Sequence, residues 1–138
     1  MIVELESEIE RWSDFVRGKV DAPFRTIEVR RDEGHSHRHR SGHWHLYSFW
    51  LHDNTSLKIG LAGPNSAARF NNQHYNPNSA NSNLAKSLLS DGRCTEPAKA
   101  WIIYNTYRLN AVFSGFTQPL AHALETYLHL VFKPAYEK

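Results

Sequence analysis

Ile2, Val3, Leu5, Ile9, Trp12, Phe15 and Val16 recur at mostly three- and four-residue intervals, the period of an amphipathic helix. The spacing predicts a helix over 2–18, stopped by Gly18 and Pro23. From Phe24 to Arg31, Arg25, Ile27 and Val29 alternate with Thr26, Glu28 and Arg30, which predicts a strand. The run DEGHSHRHRSGH that follows has no period and reads as a loop. His45 to His52 is aromatic-rich and predicts a strand; Asp53 and Asn54 turn the chain, and Leu57 to Ala62 forms the second arm of a hairpin. Gly63-Pro64 ends it. Asn65 or Ser66 can cap a helix reaching about His74. Residues 76–83 are loop, Ser82 to Ser90 is helical, and Pro97 opens a helix over 97–105. Arg108 to Ser114 predicts another strand. A last helix starts at Gln118-Pro119, carries Leu120, Leu124, Tyr127, Leu128 and Val131 on one face, and stops at Lys133-Pro134.

The chain has 138 residues, 41% hydrophobic and 12% aromatic. That is enough to bury a core and argues against disorder. One cysteine, Cys94, excludes an internal disulfide framework and a paired-cysteine zinc site. No apolar run approaches the ~20 residues of a membrane helix, and the acidic N-terminus is not a signal peptide. The cytoplasm is the expected compartment, with no membrane partner. Net charge is only +2, but its distribution is uneven. Residues 1–10 hold four Glu and no basic residue, whereas 25–45 hold Arg25, Arg30, Arg31, Arg38 and Arg40 with five of the nine His. A basic segment of this kind can meet phosphates, or can be a solvated loop.

A hairpin with Tyr47 on one strand and Lys58-Ile59-Gly60 on the next is followed by the Arg-bearing SAARFNNQHY and, near the end, by LETYLHLVFKPAY. This order resembles the GIY-YIG nuclease superfamily over about residues 43–138. The resemblance implies an α+β (α/β) domain with a small three-stranded antiparallel sheet flanked by helices. That assigns 34–138 to the nuclease-like domain and 1–33 to a helix–strand extension, which packs on the domain or makes a dimer contact. It further implies metal-dependent hydrolysis of double-stranded DNA. The family's first tyrosine corresponds to Tyr47, its arginine to Arg69 and its metal-binding glutamate to Glu125. Lys58 stands in place of the second tyrosine, as in restriction-enzyme-like members. His45 stands where the first motif has glycine, and Glu137 where the family often ends in asparagine.

The chemistry suits these residues. Tyr47 would take a proton from water, and a tyrosine, with an ordinary pKa of about 10, needs a nearby cation to do so. Lys58, across the hairpin, could supply it. The Arg69 fork matches two phosphoryl oxygens. Glu125 offers a hard oxygen to Mg²⁺, or Mn²⁺, which stabilises the leaving oxygen. His74 is the leading candidate for assisting the nucleophile or phosphate, with Gln73 and Tyr75 as rivals. Arg38, Arg40, His43, His45 and Asn71 are the candidate DNA contacts, with the His-Arg run as a mobile arm. Double-strand cutting by one-site domains calls for a homodimer or for sequential nicking.

Each residue also has an ordinary reading. Tyr47 fits a half-buried strand aromatic, Lys58 an edge-strand lysine, Arg69 a surface helix residue and Glu125 a flank position. Trp101 reads as core, and Asn81 and Asn83 as loop residues that could meet base edges. Two other functions stay open: a non-cleaving DNA- or RNA-binding module on the same fold, and a metal-binding protein using His35, His37, His39, His43 and His45.

Overall fold

The computed structural model describes residues 1–79 and 83–136. Helix α1 (Ile2–Arg17) leads into strand β1 (Arg25–Asp32); β2 (Trp44–Leu51) and β3 (Ser56–Ala62) form the hairpin. Helix α2 (Ala67–Asn71) and a single 3-10 turn (Gln73–Tyr75) follow, then α3 (Leu84–Ser90), α4 (Ala98–Asn105), β4 (Thr106–Ser114) and α5 (Gln118–Phe132). The strands make one antiparallel sheet in the order β1-β4-β2-β3.

The class is therefore α+β as expected, but the sheet has four strands rather than three. The N-terminal strand is its fourth member, paired with β4 from Arg25↔Ser114 to Asp32↔Arg108. The physical reason lies in β4. It is buried along nearly all its length, and without β1 its outer backbone groups would be an open edge. Residues 1–33 thus complete the sheet instead of standing outside it.

Helices cover both faces, which explains why β2 reads as a near-continuous apolar run. On one face α1 and α5 lay Leu5, Ile9, Trp12, Leu120, Leu124 and Leu128 against Leu46, Trp50, Ile59, Leu61, Leu109 and Phe113. On the other, α2, α3 and α4 bring Phe70, Leu84, Leu88 and Ile102 onto Tyr47 and Phe49. The helix expected to reach His74 breaks after Asn71. It is short, has no side-chain N-cap bond, and gives way to the 3-10 turn.

Strand β3 lies at the sheet edge yet is buried throughout. The C-terminal segment covers it. Ala135 and Tyr136 donate their N–H groups to the carbonyls of Ser56 and Leu57, both at 3.0 Å. His129 Nε2 donates to the Ile59 carbonyl (2.7 Å), and Glu125 accepts the Leu61 N–H (3.1 Å). The edge is thereby protected from pairing with other chains. No helix among the described residues is long and apolar enough to cross a membrane.

Candidate active site

The alternation of β2 sends His45, Tyr47 and Phe49 to the face under α2. Across the hairpin, Tyr47 pairs with Gly60 and Phe49 with Lys58, so Lys58 is one diagonal step from Tyr47 on that face. Gly60 has a specific use here. A Cβ at this position would collide with the hydroxyl and Cζ of Tyr47, so only glycine lets the ring lie across β3 toward the edge. His74 backs the ring from the 3-10 turn, with centroids 4.6 Å apart.

Arg69, exposed on α2, donates its Nε–H to the Tyr47 hydroxyl at 3.2 Å. Arg69, the residue sequence reasoning assigned to the phosphate, is thus a cation hydrogen-bonded to the phenol. Lys58, expected to serve Tyr47, lies buried opposite Phe49. Glu125 comes from the opposite helix layer and reaches the same edge, where it holds the Leu61 N–H. Leu61 directly follows Gly60, over which the Tyr47 hydroxyl lies. Covalent geometry then confines that hydroxyl and the Glu125 carboxylate to within about 9 Å of each other. Tyr47, Arg69 and Glu125 thus converge on one rim, although they come from three elements.

His74 is only 1% exposed and sits beneath this rim. Its Nδ1 accepts the Leu84 N–H at 3.3 Å, so Nε2 carries the proton and has no hydrogen-bond partner. Burial, reinforced by the positive charges of Lys58, Arg108 and Arg69, depresses its pKa to about 2. The buried ring supports Tyr47 from behind. Its rival Tyr75 turns its hydroxyl inward to Arg108 and His35.

The His-rich segment is docked along the β3–α2 connection and is not an arm. The His39 N–H binds Asn71 Oδ1 (2.9 Å), His39 Nε2 the Gly63 carbonyl (2.8 Å), and the Gly42 N–H the Pro64 carbonyl (3.1 Å). Asn71 therefore holds the loop. His45 is 1% exposed, stacks on His39 at 4.2 Å, accepts the Arg40 N–H and donates to the His43 carbonyl. Burial, with the neighbouring His39, lowers its pKa to about 4. His45 is thus a buried pin of the loop. Arg38 and Arg40 remain exposed, and His43 is half-buried.

Among the described residues, no three His, Cys, Asp or Glu side chains are grouped to hold a metal. His35 bonds Tyr75 (2.8 Å) and the Thr106 carbonyl (3.0 Å), and His37 faces Asp32. His35, His37, His39 and His45 thus turn ring nitrogens to separate protein partners. Glu125 is the one carboxylate at the rim among the described residues. Asn83 is buried and caps α3 through the Lys86 N–H (2.8 Å); Asn81 and Glu137 lie outside the described residues.

Sequence reasoning missed Arg108 and Asp32, both buried on this face. Burial works against the Asp32 charge, but the N–H groups of His37 and Ser36 outweigh it and hold the carboxyl below its usual range. The available signal for Arg108 was an arginine, with Asn110 two places on, alternating with apolar residues in the strand RLNAVFS. No family model, curated protein or solved structure matches the chain.

Proposed function

We propose that the chain is a metal-dependent DNA endonuclease with Tyr47 as general base. The observation that carries this reading is the Arg69–Tyr47 hydrogen bond, held over Gly60 and one peptide from the Glu125 anchor. A guanidinium donating to a phenol oxygen stabilises the phenolate, the form that takes a proton from water. Lys58 adds positive charge beneath the ring and suits the same purpose. The exposed guanidinium of Arg69 reaches a phosphoryl oxygen with its outer edge. As a phosphodiester draws that group outward, the buried Tyr47 hydroxyl is uncovered to the attacking water. Arg38 and Arg40 take neighbouring phosphates.

Glu125 would hold Mg²⁺ or Mn²⁺. A single carboxylate fits Mg²⁺, which keeps several waters and binds through one or two carboxylates plus substrate phosphate. When bound, such an ion supplies charge neutralisation at the leaving oxygen. Glu125 keeps one oxygen on Leu61, so its direction is set before any ion arrives.

The test is cleavage of supercoiled and linear DNA with Mg²⁺ or Mn²⁺, comparing the wild type with Tyr47→Phe and Glu125→Gln. Cutting that requires metal and falls about a hundredfold or more in both variants is the expected result. Cutting indifferent to both substitutions overturns the assignment. No cutting across varied targets, with salt-sensitive DNA binding retained, favours the non-cleaving DNA- or RNA-binding module.

A further inference from the structure

Arg108 projects from β4 into the layer between the sheet and α2, and is 1% exposed. Its Nη1 donates to the Phe70 carbonyl and to the Tyr75 hydroxyl, both at 3.0 Å, and its Nε donates to Asn110 Oδ1 at 3.2 Å. The guanidinium lies 4.5 Å from the Phe70 ring and 5.0 Å from that of Phe49. Its Nη2 has no hydrogen-bond partner, and none of these bonds goes to a carboxylate. The buried Asp32 pairs with Arg108 across β1 and β4 and interacts with its charge, but a buried cation with no directly bonded acid is still expensive. Methionine or leucine would fill the same aromatic slot without that penalty, so packing alone does not account for arginine.

The two groups that Arg108 holds through Nη1 explain the choice. Phe70 immediately follows Arg69, and Tyr75 immediately follows His74. Helix α2 spans only Ala67–Asn71 and has no side-chain cap bond at its start, so it has little stability of its own. The Phe70 carbonyl is one of the helix-end acceptors that lack an intrahelical donor, and Arg108 supplies one. The other contact closes a chain across the fold. Tyr75 meets His35 Nδ1 at 2.8 Å, and His35 Nε2 bonds back to the Thr106 carbonyl on the same strand, β4. The 3-10 turn is thus tied twice to the rigid centre of the sheet.

We infer that Arg108 is a positioning residue: it clamps α2 and the 3-10 turn to β4 so that Arg69 meets the Tyr47 hydroxyl and His74 backs the Tyr47 ring. The inference rests on the nuclease reading only for its cleavage readout. The clamp itself is a statement about side-chain geometry.

The experiment compares wild type, Arg108→Met, Arg108→Lys and Tyr75→Phe. The first readout is the side-chain Nε–H resonance of Arg69, assigned by its loss in Arg69→Lys. The indole N–H of Trp50, bonded to Ser48 Oγ at 2.8 Å in the opposite core layer, is the internal control for folding. In Arg108→Met the Arg69 signal is expected to lose its hydrogen-bonded shift and to exchange with water at least about tenfold faster, with the Trp50 signal in place. An unchanged Arg69 signal beside an unchanged Trp50 signal overturns the proposal. If Arg108→Met does not fold, Tyr75→Phe decides: a shift of the Arg69 signal in the same direction supports the clamp, and no shift overturns it. The second readout is cleavage. Arg108→Met is expected to lower kcat about tenfold or more with KM changed less than about threefold, and Arg108→Lys to restore part of kcat. If the wild type cuts no DNA, the nuclease reading fails, and the resonance readout alone decides the role of Arg108.

Discussion

Gly60 and Glu125 each join a structural duty to the candidate chemistry, so substitutions there separate the two. Gly60→Ala places a methyl group against the Tyr47 hydroxyl and Cζ, and the ring cannot retreat because His74 stands 4.6 Å behind it. Overpacking of this kind costs about 1–3 kcal/mol. Thermal unfolding should register that loss, and cleavage should fall with the displaced phenol; an unchanged melting temperature would show that the ring has room to move. Glu125 accepts the Leu61 N–H at the sheet edge. Glu125→Ala leaves that N–H unpaired and is expected to cost about 1–3 kcal/mol in chemical denaturation. Glu125→Gln keeps an acceptor there and should lose much less, although both variants lack the carboxylate a metal needs. Equal destabilisation by the two would mean that the edge bond contributes nothing.

At the scale of elements, β1 joins the sheet as its fourth strand and α1 packs against the sheet face beside α5, so the N-terminal segment packs on the domain, one of its two expected placements. Trp12 is buried against Phe24 and Phe116, with ring centroids 5.7 and 6.0 Å away. Trp12→Ala should destabilise the chain by about 3–5 kcal/mol, measurable by denaturant titration. Below the lowered melting temperature, activity per folded molecule should persist, because the ring contacts of Trp12 are to Phe24 and Phe116 and not to Tyr47. Removal of residues 1–33 is expected to leave an aggregating chain, since it opens the edge of β4 and uncovers the apolar face under α1. A soluble, cooperatively folding fragment 34–138 would refute that view of the N-terminal elements.

The whole molecule carries its buried histidines as a pH liability. His45 and His74 have folded-state pKa values of about 4 and about 2, against an unfolded value near 6.5. Below pH 6.5 the unfolded chain binds more protons than the folded one, so stability is lost as pH falls. The stabilisation is fully present above pH 6.5 and fades progressively toward the folded pKa values. Each group contributes a slope of about 1.4 kcal/mol per pH unit within that window. Melting temperatures should therefore drop between pH 7 and pH 4.5, and His45→Gln should flatten the decline. A flat profile for the wild type would mean that neither ring is held neutral.

Much of this organisation was legible in the chain. The 3.6-residue period of Leu5, Ile9 and Trp12, the aromatic run of β2 and the Pro-opened final helix needed only local spacing, because side-chain direction follows backbone geometry within one element. The order of Tyr47, Lys58, Arg69 and Glu125 was equally readable, as was the hairpin that sets Lys58 across from β2. Partnership was not readable. The Arg69 bond to the Tyr47 oxygen depends on where α2 docks, and α2 is bonded at the Phe70 carbonyl by Arg108, nearly forty positions away in the chain. The burial of His45, and with it the docking of the histidine run, depends on contacts with Phe70, His39 and the Arg40 N–H. The number of strands followed from the need of β4 for a neighbour on its far side. Local periodicity determined the elements of this protein; long-range hydrogen bonds and burial, which no window of sequence contains, decided how its candidate site is assembled.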